Sequence, residues 1–214
     1  MTDSDLERLS ESIMTGNMEV AVEVTRNALA EGVNPQDLIS KYMIKGMQEI
    51  GSRFENGEAY VPELLMAARA MKAALELIKP LLQGDKSSVL GRAVIGTVYG
   101  DLHDIGKNLV SAMMEGCGFE VVNLGVNVTA DKFVEAAVQE KADLILCSAL
   151  LTTTMDYLKT VIEAVDQAGL RPKVKVMVGG APVTQSFATQ IGADGYSENA
   201  NAAVKEAKRL LNVV

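Results

Sequence analysis

The chain has 214 residues, 48% of them hydrophobic and 22% charged, an ordinary globular composition that excludes disorder and collagen-like order. Its net charge of −8 comes without a basic stripe, so binding to nucleic acid or to an anionic membrane surface is not expected. The single histidine, His103, excludes any site that needs two His ligands, H-E-x-x-H zinc chemistry included.

Up to about residue 85 the apolar spacing is helical. Leu6, Leu9 and Ile13 mark a first short helix. A second follows Gly16-Asn17 and runs through Val20, Val24 and Leu29 to Gly32, a natural stop. The third starts at Asn34-Pro35, a cap followed by proline at the first helical position. It carries Ile39, Tyr42, Met43, Met47, Ile50 and Phe54 on one face and ends in the turn Glu55-Asn56-Gly57. The fourth starts near Pro62 and presents Leu64, Leu65, Ala68, Met71, Leu75, Ile78 and Leu82. Four amphipathic helices with short joints predict a small four-helix bundle over 1–85, and this part holds most of the charge, −6 of the −8.

The polar stretch from Gln83 to Ser88 has no periodicity, and the linker is placed over 86–92. From 93 to 214 short β-branched runs alternate with helical stretches. Strands are expected at Ala93–Val98, Glu120–Leu124, Leu144–Ser148, Val174–Val178 and Gly195-Tyr196, with helices near 106–116, 130–140, 155–168, 183–191 and 199–212. The fold class is therefore α/β: a helical bundle followed by a flavodoxin-like, doubly wound parallel sheet of five strands, whose functional loops lie at the carboxyl ends of the strands. Cys117 and Cys147 form no CxxC and lie in apolar surroundings, so both read as reduced, buried thiols. No apolar run approaches the ~20 residues of a membrane span, and the opening MTDSDLERLSES does not read as a signal peptide, so the expected compartment is the cytoplasm.

The informative segment runs from Gly100 to Asn108, directly after the first strand, and holds Asp101, His103, Asp104, Ile105 and Gly106. An aspartate two residues before a histidine can accept its Nδ1–H, which fixes the tautomer and leaves Nε2 for a metal or a proton. A single protein ligand cannot hold a bare ion, so a metal at His103 must bring its other ligands with it, as a macrocycle does. Gly106 lets the chain pass close to a bulky ligand. No G-x-S-x-G, no G-x-G-x-x-G and no P-loop is present.

Asp101-x-His103-x-x-Gly106, followed by Ser148-x-Leu150 and Gly179-Gly180, resembles the signature of cobalamin-binding domains. The longer run from Gly100 to Val110 is similar to the methyltransferase branch of that family. So is the N-terminal run Met47-x-x-Ile50-Gly51-x-x-Phe54-Glu55-x-Gly57-Glu58-x-Tyr60-Val61-Pro62-Glu63. The resemblance implies a cobalamin or related corrinoid bound base-off/His-on, with His103 as the cobalt ligand and Asp101 and Ser148 as the hydrogen-bond relay behind it. Asp104, Ile105 and Gly106 are expected at cofactor-binding positions in the same segment. Ser148, Leu150, Gly179 and Gly180 are expected to line a slot for the nucleotide tail. Thr152, in the run Thr152-Thr153-Thr154, could touch that tail or cap a helix, and Tyr196 could touch it or be an ordinary loop residue.

The resemblance further implies a methyl carrier rather than a stand-alone catalyst. Cob(I)alamin takes a methyl group from a substrate-specific methyltransferase. Methylcobalamin passes it to a second, corrinoid:acceptor methyltransferase, with tetrahydrofolate or a thiol coenzyme as acceptor, and a reductive activase restores the reduced cobalt. The donor could be a methylamine, methanol, betaine or a methoxyaromatic compound. The helical bundle is expected to shield the methyl group and to move on a hinge at 83–92. Two other readings stand beside this one: the small cobalamin-binding subunit of a radical mutase, and a cofactor-free flavodoxin-like sensor or interaction domain.

Overall fold

The structure, a computed structural model, describes residues 2–82, 89–171 and 173–213. Residues 83–88 of the expected hinge, and with them 86–88 of the expected linker, lie outside the described residues. The chain divides into two compact units, Met1–Val89 with Glu115–Gly118, and Leu90–Met114 with Phe119–Val214.

In the helical unit, α1 (Asp3–Met14) opens with a capping box: the Thr2 hydroxyl accepts the Asp5 N–H, and the Asp5 carboxylate accepts the Thr2 N–H. Asn17 caps α2 (Met18–Ala30) by accepting the Val20 N–H. The third helix is not the uniform one expected from its periodicity. After α3 (Pro35–Asp37) it widens into a π-helical turn over Leu38–Met43 and then continues as α4 (Ile44–Glu55). The cause is tertiary. The buried Ser10 hydroxyl of α1 donates to the Tyr42 carbonyl at 2.8 Å, and the Tyr42 hydroxyl donates to Asp3. These bonds span 32 and 39 residues, so they leave no local signal. Close contact of α1 with α4 depends on Gly46, where a Cβ would lie 2.5 Å from the Ser10 carbonyl oxygen. The remaining helix, α5 (Val61–Ile78), packs on α2 and α4. Leu9, Ile13, Leu38, Met43, Met47, Leu64, Met71 and Ile78 are fully buried. Each contributes about 1.5–3 kcal/mol relative to an exposed side chain.

The second unit alternates strand and helix: β1 (Arg92–Thr97), α6 (Ile105–Gly116), β2 (Glu120–Asn123), α7 (Ala130–Gln139), β3 (Leu144–Ser148), α8 (Asp156–Gln167), β4 (Lys175–Gly179), α9 (Gln185–Gln190), β5 (Gly195–Ser197) and α10 (Ala200–Leu211). All pairings are parallel and the order is β2-β1-β3-β4-β5, the flavodoxin-like order expected from the alternation. Val94, Ile145, Val176 and Val178 of the sheet pack with Phe133 of α7 and Leu158, Val161 and Val165 of α8. Cys117 and Cys147 are buried and form no disulfide, as expected, and burial pushes the Cys147 thiol far above its ordinary range. No helix among the described residues is long and apolar enough to cross a membrane.

Because every strand runs the same way, all carboxyl ends share one edge. The register aligns Thr97, Ser148, Gly179 and Ser197 in a single row across four strands. The Gly100–Asp104 loop lies just beyond that row.

Candidate functional site

Asp101 is fully buried although it is charged and sits in a loop. Its Oδ1 accepts the His103 backbone N–H at 3.1 Å and faces the His103 Nδ1 at 3.0 Å. Its Oδ2 accepts the N–H groups of Leu150 at 2.8 Å and Leu151 at 3.2 Å, and the Thr154 hydroxyl at 2.8 Å. Burial works against ionisation of this carboxyl. The donors from Leu150, His103 and Thr154 outweigh it and hold the group well below the usual carboxylate range. An ionised carboxylate only accepts, so the imidazole donates from Nδ1, and in the neutral ring the lone pair lies on Nε2. The His103 side chain is 53% exposed, and no described residue hydrogen-bonds its Nε2.

The backbone of the loop is held as firmly as the ring. The buried Thr97 hydroxyl donates to the His103 carbonyl at 2.7 Å. The Asp101 N–H donates to the Val98 carbonyl. Asn127, in the left-handed region at φ 55°, accepts the Gly100 N–H on its side chain at 2.8 Å and donates its own N–H to the Asp101 carbonyl. At the start of α6, the Asp104 carboxylate accepts from the Asn108 side chain at 2.9 Å. Lys107 is buried, and its ammonium donates to the side-chain oxygens of Asn108 at 2.5 Å and Asn123 at 2.7 Å. Desolvation lowers its pKa, and Asp104 partly offsets that. Asn127 and Thr97 gave no sequence signal: their roles come from the approach of the β2–α7 connection and from strand register.

Around His103 the surface is apolar. Leu102 is 72% exposed and Ile105 is 83% exposed, and Tyr99, Leu150 and Leu151 are exposed beside the ends of β1 and β3. Tyr99 rests against Tyr157 of α8 with ring centroids 5.6 Å apart. So many large apolar side chains in water on two adjacent loops mark a binding surface. Gly106 opens onto the same loop, and a Cβ there would meet nothing within 4 Å.

The structure thus brings Asp101, His103, Asp104, Ile105, Gly106 and Leu150 to one edge, and Ser148, Thr152, Gly179 and Gly180 to the same end of the sheet. Three details differ from expectation. First, the hydroxyl that reaches Asp101 belongs to Thr154. Ser148 projects to the side of the sheet opposite its strand neighbours Cys147 and Ala149, which are both in the core. Second, Gly180 is required by the protein's own backbone: at φ 127° its Cβ would lie 1.8 Å from the Ala149 carbonyl oxygen. At Gly179 a Cβ would approach the Ser197 carbonyl oxygen at 3.0 Å. Third, Tyr196 pairs with Val178, one residue behind the aligned row, and packs against the core; Ser197 is the β5 residue in that row. Thr152 is exposed in the turn that follows β3.

These residues fit a corrinoid. Among the described residues no group of three His, Cys, Asp or Glu could hold a metal ion. The site instead offers one oriented imidazole nitrogen, an apolar surround for a large flat ring, and a side-chain-free position at Gly106.

Two B12 binding domain families match the chain, one over residues 91–205 and another over residues 5–79. The chain is 46% identical to the dimethylamine corrinoid protein of Methanosarcina barkeri over 96% of this chain and 97% of that one. It is 48% identical to trimethylamine corrinoid protein 1 of Methanosarcina mazei over 90% of each. Among solved structures it resembles the methanol:cobalamin methyltransferase complex of Methanosarcina barkeri, with TM-score 0.83 and 31% identity over 100% of this chain and 82% of that one. It also resembles a cobalamin-binding protein from Desulfitobacterium hafniense DCB-2, with TM-score 0.81 and 32% identity over 96% and 98%. Relatives this similar along nearly the whole chain set aside the radical-mutase and cofactor-free readings: the chain belongs to the methyltransferase corrinoid proteins.

Proposed function

We propose that this chain is a cytoplasmic methyl carrier that binds a corrinoid base-off, with His103 as the cobalt ligand, and serves a methyltransferase system whose donor is a methylated amine. One observation supports the ligand assignment above the others: His103 turns Nδ1 onto a buried, ionised carboxylate and leaves Nε2 free within an apolar surround. The names of the dimethylamine and trimethylamine relatives favour an amine donor. When bound, the corrinoid supplies a cobalt that is nucleophilic when reduced and can hold a methyl group.

The chain's own residues do the rest. Asp101 fixes the imidazole tautomer and raises the donor strength of Nε2. Thr97 and Asn127 keep the loop from moving when the ligand bond forms or loosens. Leu102, Ile105 and Leu150 cover the apolar ring and exclude water. We assign ligation and tail binding to residues 93–214 and shielding of the methyl group to residues 1–85, joined by a linker over 86–92. The partners in this reading are a substrate:corrinoid methyltransferase, a second methyltransferase that delivers to tetrahydrofolate or a thiol coenzyme, and a reductive activase.

The test is an anaerobic assay of the reduced, corrinoid-loaded protein with purified dimethylamine, trimethylamine and methanol methyltransferases. Methyl transfer from an amine, lost by at least tenfold in His103→Ala, is expected from the removal of a direct ligand. Transfer from methanol alone, or from no donor, would overturn the amine reading.

A further inference from the structure

At the third position of α6, in the first turn after the histidine loop, the chain buries a lysine. We infer that Lys107 is a positioning residue for that loop: its ammonium orders two asparagine amides, and through them it holds the His103 carbonyl and Asp104, the residue that follows. This rests on the reading of His103 as the cobalt ligand.

Lys107 is 3% exposed, and its place is unfavourable twice over. Burial strips water from a cation, and the amino end of a helix already carries partial positive charge. Among the described residues it forms no ion pair. The two hydrogen-bond partners of its ammonium are neutral amides, Asn108 at 2.5 Å and Asn123 at 2.7 Å. A methionine would fill nearly the same space at less cost, so packing alone does not call for a charge here. What the charge does is orient the amides. An ammonium only donates, so both asparagines turn their oxygens to it. Asn108 is thereby left with its amino group on the Asp104 carboxylate at 2.9 Å, and its backbone N–H meets the Asp104 carbonyl at 2.8 Å. Asn123 donates to the Asn108 oxygen at 3.0 Å, and its own oxygen also accepts the Gly125 N–H at 3.0 Å. The Gly125 carbonyl accepts the Thr97 N–H, and the Thr97 hydroxyl holds the His103 carbonyl at 2.7 Å. Two routes thus lead from one buried ammonium to the ligand loop, one through Asn108 and one through Asn123.

The test combines amide hydrogen exchange of the cofactor-free protein with corrinoid titration of the same variants. Lys107→Met should speed exchange of the Thr97, Asn108 and Gly125 N–H groups roughly tenfold, the size expected for loss of a hydrogen bond to a charged group. The Arg92 and Val176 N–H groups, bonded to Asp143 and Asp194 at the amino edge, should exchange as in the wild type. The variant should also bind corrinoid roughly tenfold more weakly and show a smaller share of His-on absorption when loaded. Asn123→Ala should act in the same direction. Because both residues belong to one network, the double variant Lys107→Met/Asn123→Ala should lose no more affinity than the worse single variant.

Exchange that quickens equally at both edges of the sheet marks a merely structural lysine and overturns the inference. So does wild-type corrinoid binding in Lys107→Met, or a double variant whose loss is the product of the two single losses. If Lys107→Met does not fold, Asn108→Ala and Asn123→Ala, both at exposed positions, carry the same readouts. In that case faster exchange confined to the loop, with weaker binding in both variants, upholds the inference, and any other pattern overturns it. The exchange data do not involve cobalt, so a failure of His103 as the metal ligand would show separately, as a loaded wild type with no His-on absorption.

Discussion

At the amino edge of the sheet, Asp143 accepts the Arg92 N–H at 2.9 Å, and Asp194 accepts the Val176 N–H at 2.7 Å while bonded to Arg171 at 3.0 Å. At the carboxyl edge, Asp101 also takes backbone N–H groups, but among the described residues no Lys or Arg pairs with it; its neighbours are amides, a hydroxyl and one imidazole. The same residue type thus serves two ends. Asp194 beside an arginine is a structural brace whose charge is neutralised on the spot. Asp101 keeps its negative charge for the single group able to pass the effect on, an imidazole with its far nitrogen free. A part-buried ion pair closes on itself, whereas a buried carboxylate facing a histidine leaves the far imidazole nitrogen exposed.

The contrast can be broken by substitution. The largest stability loss is expected at Gly180→Ala, where a side chain collides with the Ala149 carbonyl and the backbone is left-handed. Urea unfolding should show a loss of about 3 kcal/mol or more. Asp101→Ala strands the N–H groups of His103, Leu150 and Leu151 and should cost about 3 kcal/mol by the same measurement. Asp194→Ala should cost less, about 1–2 kcal/mol, and should leave corrinoid binding as in the wild type, whereas Asp101→Ala should impair it. Equal loss of binding in both variants would erase the distinction between the edges. Gly106→Ala should change stability by no more than about 0.5 kcal/mol, because its Cβ meets nothing within 4 Å, yet weaken corrinoid binding in a titration. A variant that binds as well as the wild type would remove Gly106 from the site.

Much of this was readable in the sequence. The strands of the second unit stand within a residue or two of their expected places, because β-branched runs between helical stretches leave little freedom in a parallel sheet. Asp101 and His103 were readable because their interaction is local, two residues apart. Thr154 was not, because its bond to Asp101 spans 53 residues and depends on how the turn after β3 folds back. The facing of Tyr196 depended on the exact register of a three-residue strand. The π turn at Leu38–Met43 depended on a hydroxyl supplied by another helix. Short-range chemistry shows in the sequence; bonds made across the fold do not.

In the proposed function His103 supplies the one protein ligand to a corrinoid cobalt. The most direct measurement loads wild type and His103→Ala with the same corrinoid and compares their absorption spectra, with circular dichroism confirming that both are folded. A base-off, His-on spectrum is expected in the wild type and is expected to be absent in His103→Ala. Identical spectra from the two proteins, or a wild type that takes up no corrinoid, would contradict it.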